Sequence, residues 1–368
     1  MYENDLSRRS PKKSIRKIWR TMTPAYYIYK FPYKLGWYLA KLLKRNNELV
    51  FYCADPLDYE MFIPIKKHLP EVEIVAKNKK TRDYLSKNGV EYLRMPTFPK
   101  AVIMARHAPY KFPVKQIVKI GFDHGLYQFK RWTAPENYNK FNRYFVSSSE
   151  QVKTAKTLGI TTTKAIGYPK LDNAFNGTYN ENYLNKVKGE LNLDKNKHTI
   201  IFTSTWNVDG LSALDKWIDR VGELSEKYNV LVTVHTWTEK RKIEKLKATK
   251  NIFFLNKFDV TTFLMIADVF IGDYNSLIGE ACGLNKPIIT FRVPESKRSI
   301  KEITEMIETI SIRIDEFDEL ETAIEQSLNN PDELNSARKS ANKIIFFALD
   351  GNAGKRAADE IINLLENN

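Results

Sequence analysis

Cysteine is scarce: two residues, Cys53 and Cys282, in a chain of 368. That excludes a disulfide scaffold and any CxxC-type metal site, and it suits a reducing compartment. Long apolar runs are missing as well. The most apolar N-terminal run, residues 35–40, is closed by Lys34 and Lys41, whereas a membrane span needs roughly 20 apolar residues. An uncharged core followed by a small-residue cleavage site is absent, so no secretory signal fits and the body is expected to stay in the cytosol. HExxH, Walker and GxSxG motifs do not occur, nor does a DxD-type acidic pair stand out. Asp315, Glu316 and Asp318 read as a solvated helix end. No metal site is expected, no cofactor is certain, and a divalent cation is left open.

What is present begins with charge, and its placement matters more than its total of +14. Twelve Lys/Arg and two Asp/Glu fall within residues 1–45, so this stretch carries +10 and the remainder only +4. Ile15, Ile18, Trp19 and Met22 recur at helical spacing, with Lys12, Lys13, Arg16, Lys17 and Arg20 around them. A second stripe follows an aromatic stretch: Leu35, Tyr38, Leu39, Leu42 and Leu43, flanked by Lys34, Lys41, Lys44 and Arg45. Trp19, Trp37 and the tyrosines suit a lipid headgroup layer, wet at one end of the ring and apolar at the other. The expectation is a pair of basic amphipathic helices lying on an anionic membrane surface. The competing reading packs these helices on the protein. Nucleic acid is not expected, because the body has no basic stripe and no RRM, HTH or KH signature.

From residue 48 onward, short β-rich runs alternate with helical runs. Strands are expected at 49–53, 73–76, 102–104, 117–122, 144–147 and 165–166, and helices at 56–69, 81–88 and 150–158. After a polar Asn/Lys-rich stretch, the alternation restarts with strands at 199–203, 230–235, 252–255, 269–272 and 288–291. Helices are expected there at 211–228, 239–248, 261–267 and 275–282, then at 332–347 and 354–365. Such alternation implies an α/β fold of parallel sheets covered on both faces, here two Rossmann-like domains with a cleft between them. The expected division is 1–45 (membrane-interface helices), 46–190 (acceptor domain), 191–345 (nucleotide-donor domain) and 346–368 (a C-terminal helix packing back toward the first domain).

Ligands in parallel sheets sit beyond the carboxyl ends of the strands, and four polar clusters fall there. His124 and Gly125 follow the strand 117–122, placing an imidazole that titrates near neutrality beside a residue that permits close backbone approach. His235 ends the strand 230–235 in the second half. One histidine can act as base while the other stabilises phosphate charge. Asp273, Tyr274, Asn275 and Ser276 join a buried strand to a helix whose first turn can bind an anion. The competing role for these residues is helix capping. Ser204 and Thr205 offer hydroxyls on another strand-to-helix loop. A fifth candidate is Gly167 to Asp172, including Lys170, where the chain crosses between domains.

Taken in order, these clusters resemble the CDP-glycerol glycerophosphotransferase family of teichoic-acid primases and polymerases. The resemblance covers roughly residues 48 to 366 and includes Asp350-Gly351 before Lys355-Arg356-Ala357-Ala358-Asp359. Departures are Lys170, where Arg is commoner; Ser204 and Asn207 at the ends of a loop that usually reads Pro-Thr-aromatic-Arg; Asn275 in place of a serine; and Thr236 where Pro commonly follows the histidine. The resemblance implies a GT-B-like transferase held peripherally at the cytoplasmic membrane face. Its donor would be CDP-glycerol or CDP-ribitol, and its acceptor a polyprenyl-diphosphate-linked saccharide or a growing polyol-phosphate chain. His124 and His235 would be catalytic. Ser204, Thr205, Asp273, Tyr274, Asn275 and Ser276 would hold the donor, and Gly125, Lys170 and Asp172 the substrate. The alternatives are a GT-B glycosyltransferase using a nucleotide sugar, and a non-catalytic binder of anionic lipid or polymer.

Overall fold

The computed structural model describes residues 24–123, 125–126, 132–206, 210–257, 259–295 and 299–367. Helix α1 (Pro24–Leu42) precedes a first sheet made of β1 (Leu49–Cys53), β2 (Glu73–Ala76), β3 (Ala101–Met104), β4 (Val118–Gly121), β5 (Arg143–Val146) and β6 (Thr163–Ala165). Its connecting helices are α2 (Pro56–Lys66), α3 (Lys79–Lys87) and α4 (Ser149–Thr157). Short α5 (Asp172–Phe175) and α6 (Glu181–Glu190) lead to a second sheet of β7 (Thr199–Ser204), β8 (Asn229–Val234), β9 (Ile252–Phe254), β10 (Val269–Gly272), β11 (Ile288–Phe291) and β12 (Ile312–Ile314). Its helices are α7 (Leu214–Trp217), α8 (Lys240–Ala248), α9 (Thr261–Ile266), α10 (Leu277–Gly283), α11 (Lys301–Ile310), α12 (Leu320–Asn329) and α13 (Asn335–Ile345). Helix α14 (Ala353–Glu366) closes the chain.

The strand orders are β2-β1-β3-β4-β5-β6 and β12-β11-β10-β7-β8-β9. Every pairing is parallel. This is the two-sheet α/β arrangement that the alternation predicts. Strands such as β1 (LVFYC) and β7 (TIIFTS) are buried along their whole length, which explains why they read as continuous runs rather than alternating ones. The chain order reverses at β1/β3 in the first sheet and at β7/β10 in the second. Those two crevices, at the carboxyl ends of the strands, are where the topology leaves room for ligands.

The structure corrects several expected elements. Residues 211–228 do not form one helix. They give α7 and then a 3-10 segment, Val221–Glu226, whose buried Val221 and Leu224 stand three apart, the spacing of that tighter helix. Strand β12 was not anticipated, because three edge residues give too short a pattern. In the acidic segment Asp315, Glu316 and Asp318 are exposed, as expected, while Phe317 between them is buried.

Helix α1 also departs from expectation. It runs unbroken through Pro32 and divides its faces. Tyr29, Tyr33 and Trp37 point at the first domain, where they donate hydrogen bonds to Lys111 O (2.5 Å), Thr97 O (2.7 Å) and Pro99 O (2.8 Å). Trp37, expected in a lipid interface, is therefore part of the protein core. Its indole N–H needs a buried acceptor, and the loop before β3 supplies one. Lys41, Lys44 and Arg45 are exposed as expected. Lys12, Lys13, Arg16, Lys17, Trp19 and Arg20 lie outside the described residues. No helix among the described residues is long and apolar enough to cross a membrane.

Helix α14 returns to the first domain. Glu360 bonds Arg143 (2.7 Å) and Lys164 (2.5 Å). Gly354 lies so close to α2 that a Cβ there would meet Pro64 O at 2.3 Å, so only glycine allows this docking.

Candidate active site

At the β7/β10 crevice the organising residue is Asp273. It is fully buried one position beyond β10 and accepts four kinds of donor: Ser204 Oγ (2.6 Å), Thr205 N (3.0 Å), Ala213 N (3.0 Å) and Asn275 Nδ2 (3.0 Å). Burial pushes its carboxyl above the usual value, and these hydrogen bonds oppose the shift. Asp273 therefore shapes the loop after β7 rather than meeting a donor. Asn275 is likewise committed. Its Oδ1 accepts from Leu277 N (2.9 Å), capping α10, and its amide reaches Asp273. The phenol of Tyr274 accepts from Ile300 N (2.9 Å). Ser204 is buried, with its hydroxyl on Asp273. The family resemblance assigns these four to the donor; in the fold each is engaged by protein groups, Asn275 at the start of α10 and Ser204, Asp273 and Tyr274 by residues elsewhere in the chain. Thr205 and Ser276 differ. Both are half-buried, and neither hydroxyl makes a hydrogen bond among the described residues.

His235 lies directly beyond β8 on the same edge. Its backbone N–H bonds Ser204 O (3.0 Å). Trp237 N donates to its Nδ1 (3.1 Å). With Nδ1 accepting, a neutral ring carries its proton on Nε2. The ring packs beside Trp206 and Trp237, at centroid distances of 6.3 and 5.4 Å, and the two indoles meet edge to face at 5.2 Å. Trp237 is a ring neighbour of His235 that the sequence pattern does not single out.

Across the cleft, Asp123 and Gly125 line a small cavity together with Phe122, Ser147, Gly167 and Tyr168. His124 lies outside the described residues. The Gly167–Asp172 segment, expected to touch substrate, is occupied by protein contacts. Lys170 is buried and donates to Glu280 Oε2 on α10 (2.7 Å), with Asp259 at 3.9 Å; Tyr168 donates to Glu280 Oε1 (3.2 Å). Burial works against the Lys170 charge, but Glu280 and Asp259 outweigh it and raise its pKa. Asp172 accepts from Ala353 N (3.0 Å) and Gly354 N (2.6 Å), capping α14. Arg356 bonds Ile166 O (2.8 Å) and Asp350 (2.7 Å), holding the Asp350 carboxyl below its usual range. The late Asp350-Gly351 motif is thus a clasp between α14 and the first domain.

The model of the CDP-glycerol:poly(glycerophosphate) glycerophosphotransferase family matches residues 113–363. The chain belongs to that family. Among named glycerophosphotransferase-family proteins, it is 26% identical over 179 residues to the teichoic acid poly(glycerol phosphate) polymerase of Staphylococcus epidermidis, covering 43% of this chain and 24% of the relative. It is 26% identical over 170 residues to the teichoic acid ribitol-phosphate polymerase TarK of Staphylococcus aureus, covering 42% and 32%. The matches thus span about a quarter to a third of the length of these relatives. The fold resembles that of the wall teichoic acid polymerase TagF in a His→Asn variant soaked with CDPG, with a TM-score of 0.66 at 15% identity over 92% of this chain and 98% of that one. It also resembles S. aureus MnaA in complex with UDP, with a TM-score of 0.61 at 14% identity over 87% and 97%. At these identities the likeness is one of fold, GT-B-like in both cases.

Proposed function

We propose that the protein transfers an alditol phosphate, glycerol phosphate or ribitol phosphate, from a CDP-alditol to an acceptor hydroxyl in teichoic-acid-like polymer synthesis. The acceptor is a polyprenyl-diphosphate-linked saccharide or a growing polyol-phosphate chain. The hydroxyl oxygen attacks the phosphorus that bears the alditol, the bond from that phosphorus to CMP breaks, and CMP leaves. The observation that carries this reading is the family match over residues 113–363, which reaches into both sheets, with His235 exposed and Thr205 and Ser276 half-buried at the carboxyl ends of the second sheet.

The roles follow from chemistry. His235, whose Nδ1 is engaged by Trp237 N–H, offers an Nε2–H donor to a phosphate oxygen. Thr205 and Ser276 add hydroxyl donors. His124, between the cavity-lining Asp123 and Gly125, takes the hydroxyl proton as general base. Transfer of this kind depends on positioning and electrostatics more than on covalent steps.

The substrate is lipid-linked, and α1 supports a peripheral site at the cytoplasmic membrane face. Its outer surface carries Tyr27, Ile28, Phe31, Leu35, Leu39 and Leu42, with Ile28 73% and Leu42 78% exposed. This apolar stripe on a helix bolted down by its opposite face, beside Lys41, Lys44 and Arg45, suits an anionic bilayer.

The test is incubation with CDP-glycerol, CDP-ribitol and UDP-sugars, scored by the nucleotide released. CMP is expected; UDP would assign the chain to the glycosyltransferases. His124→Ala is expected to abolish turnover while CDP-alditol affinity survives. Retained turnover would remove His124 from the role of base. Full activity in a His124→Ala/His235→Ala double variant would leave a binding protein.

A further inference from the structure

The crevice at β1/β3 is the first sheet's counterpart of the donor crevice, and the motifs above assign it nothing. The residue standing in it is Arg106, two positions beyond β3. The parallel register pairs Met104 with Gly121, so Arg106 and Asp123 each stand two positions beyond that pair, at the carboxyl ends of neighbouring strands. Its Nε donates to both oxygens of Asp58, at 2.8 and 2.9 Å. Asp58 is 0% exposed and also accepts from Ala54 N and Asp55 N, each at 3.1 Å. The guanidinium is thereby held from beneath by a carboxylate that has no freedom to turn. The Arg106 side chain remains 33% exposed; Nη2 approaches Asp55 only at 3.9 Å, and Nη1 makes no hydrogen bond among the described residues. Asp55 is itself neutralised by Lys80 at 3.0 Å. The four charges balance, so an anion here is held by the directed fork of the guanidinium rather than by net field.

Helix capping accounts for Asp58 alone, since Ala54 N and Asp55 N suffice for it. It does not account for an arginine that stays one-third exposed with Nη1 unbonded among the described residues. Resting on the reaction argued above, we propose that Arg106 anchors a phosphate group of the acceptor, placing the attacking hydroxyl beside the Asp123–Gly125 segment. Both acceptor types carry this chemistry, as a phosphodiester in a polyol-phosphate chain or as the diphosphate of a lipid-linked saccharide.

The experiment measures equilibrium binding of the full chain by calorimetry. The probes are a glycerol-phosphate trimer, a short-prenyl diphosphate-linked disaccharide and CDP-glycerol. The variants are Arg106→Lys, and Arg106→Met combined with Asp58→Asn so that no buried charge is left unpaired. Loss of a charge-assisted hydrogen bond predicts that the double variant weakens an acceptor probe about 10- to 100-fold. Arg106→Lys should recover part of that loss, and CDP-glycerol affinity should be unchanged. Which probe loses affinity tells the polymer from the lipid diphosphate. Equal binding of both acceptor probes by wild type and double variant overturns the proposal, as does an equal loss of CDP-glycerol or a wild type that binds neither acceptor. Failure of CMP release with intact, Arg106-dependent acceptor binding would instead count against the reaction and leave the phosphate site standing.

Discussion

Lys170 Nζ lies 2.7 Å from Glu280 Oε2 in a buried contact that joins the loop after the first sheet to α10, the helix that follows β10. The pair is a charged contact between the two halves of the chain, with Tyr168 on the same carboxylate. Removing one partner strands the other in a low-dielectric site. Lys170→Ala is therefore expected to cost about 3–5 kcal/mol of stability, while Lys170→Met with Glu280→Leu should recover most of it. Denaturant unfolding checks this. A double variant as unstable as the single one would show that the charges, not their burial, hold the domains.

Asp172 makes a second inter-element clasp, to the first two N–H groups of α14. Asp172→Ala should cost about 2–4 kcal/mol, from two charge-assisted hydrogen bonds. The loss should appear first as faster amide exchange in Ala353–Glu366, with the second sheet still protected. Uniform protection across α14 would refute the clasp.

Asp58 makes stability depend on pH. Burial pushes its carboxyl up to about 6 from an ordinary 3.8, even with Arg106 pulling it down. Below 3.8 the carboxyl is protonated in both folded and unfolded chains. Between 3.8 and 6 the folded protein keeps a proton that the unfolded chain releases. Its contribution is therefore fully present below 3.8 and lost as pH rises through about 6, a change on the order of 3 kcal/mol. Asp58→Asn should flatten this part of the stability–pH curve. An unchanged slope between pH 4 and 7 would assign it to other groups.

The outer face of α1 gives a fourth prediction. Ile28→Glu, Phe31→Glu and Leu35→Glu together should lower partitioning onto anionic vesicles about 100-fold or more, since each exposed apolar side chain gains on the order of 1 kcal/mol or more on leaving water. The melting temperature should stay within a few degrees, because Tyr33 and Trp37 hold the helix from the other side. Wild-type vesicle binding by the triple variant would place the anchor elsewhere.

Much of the architecture is legible without coordinates. Val269–Gly272 and Ile288–Phe291 are readable to the residue, because buried parallel strands leave short unbroken apolar runs between helical patterns. The site is legible only as a set of places. Thr205 and Ser276 stand half-buried and His235 exposed, whereas Ser204, Asp273, Lys170 and Asp172 are engaged by protein groups 60 or more residues away, Tyr274 by Ile300 and Asn275 by the start of its own helix. A polar side chain beside a strand end has the same sequence signature whether its partner is phosphate or peptide.

Periodicity alone settles two parallel α/β sheets, since burial on both faces imprints itself locally along each strand and helix, and the order of the short motifs carries the resemblance to the glycerophosphotransferases that the family match bears out. Only the folded chain decides which charges meet. Arg106 finds Asp58 across 48 positions and Lys170 finds Glu280 across 110. Such pairings depend on how the sheets stack and where α14 docks, and no local stretch of residues encodes that distance.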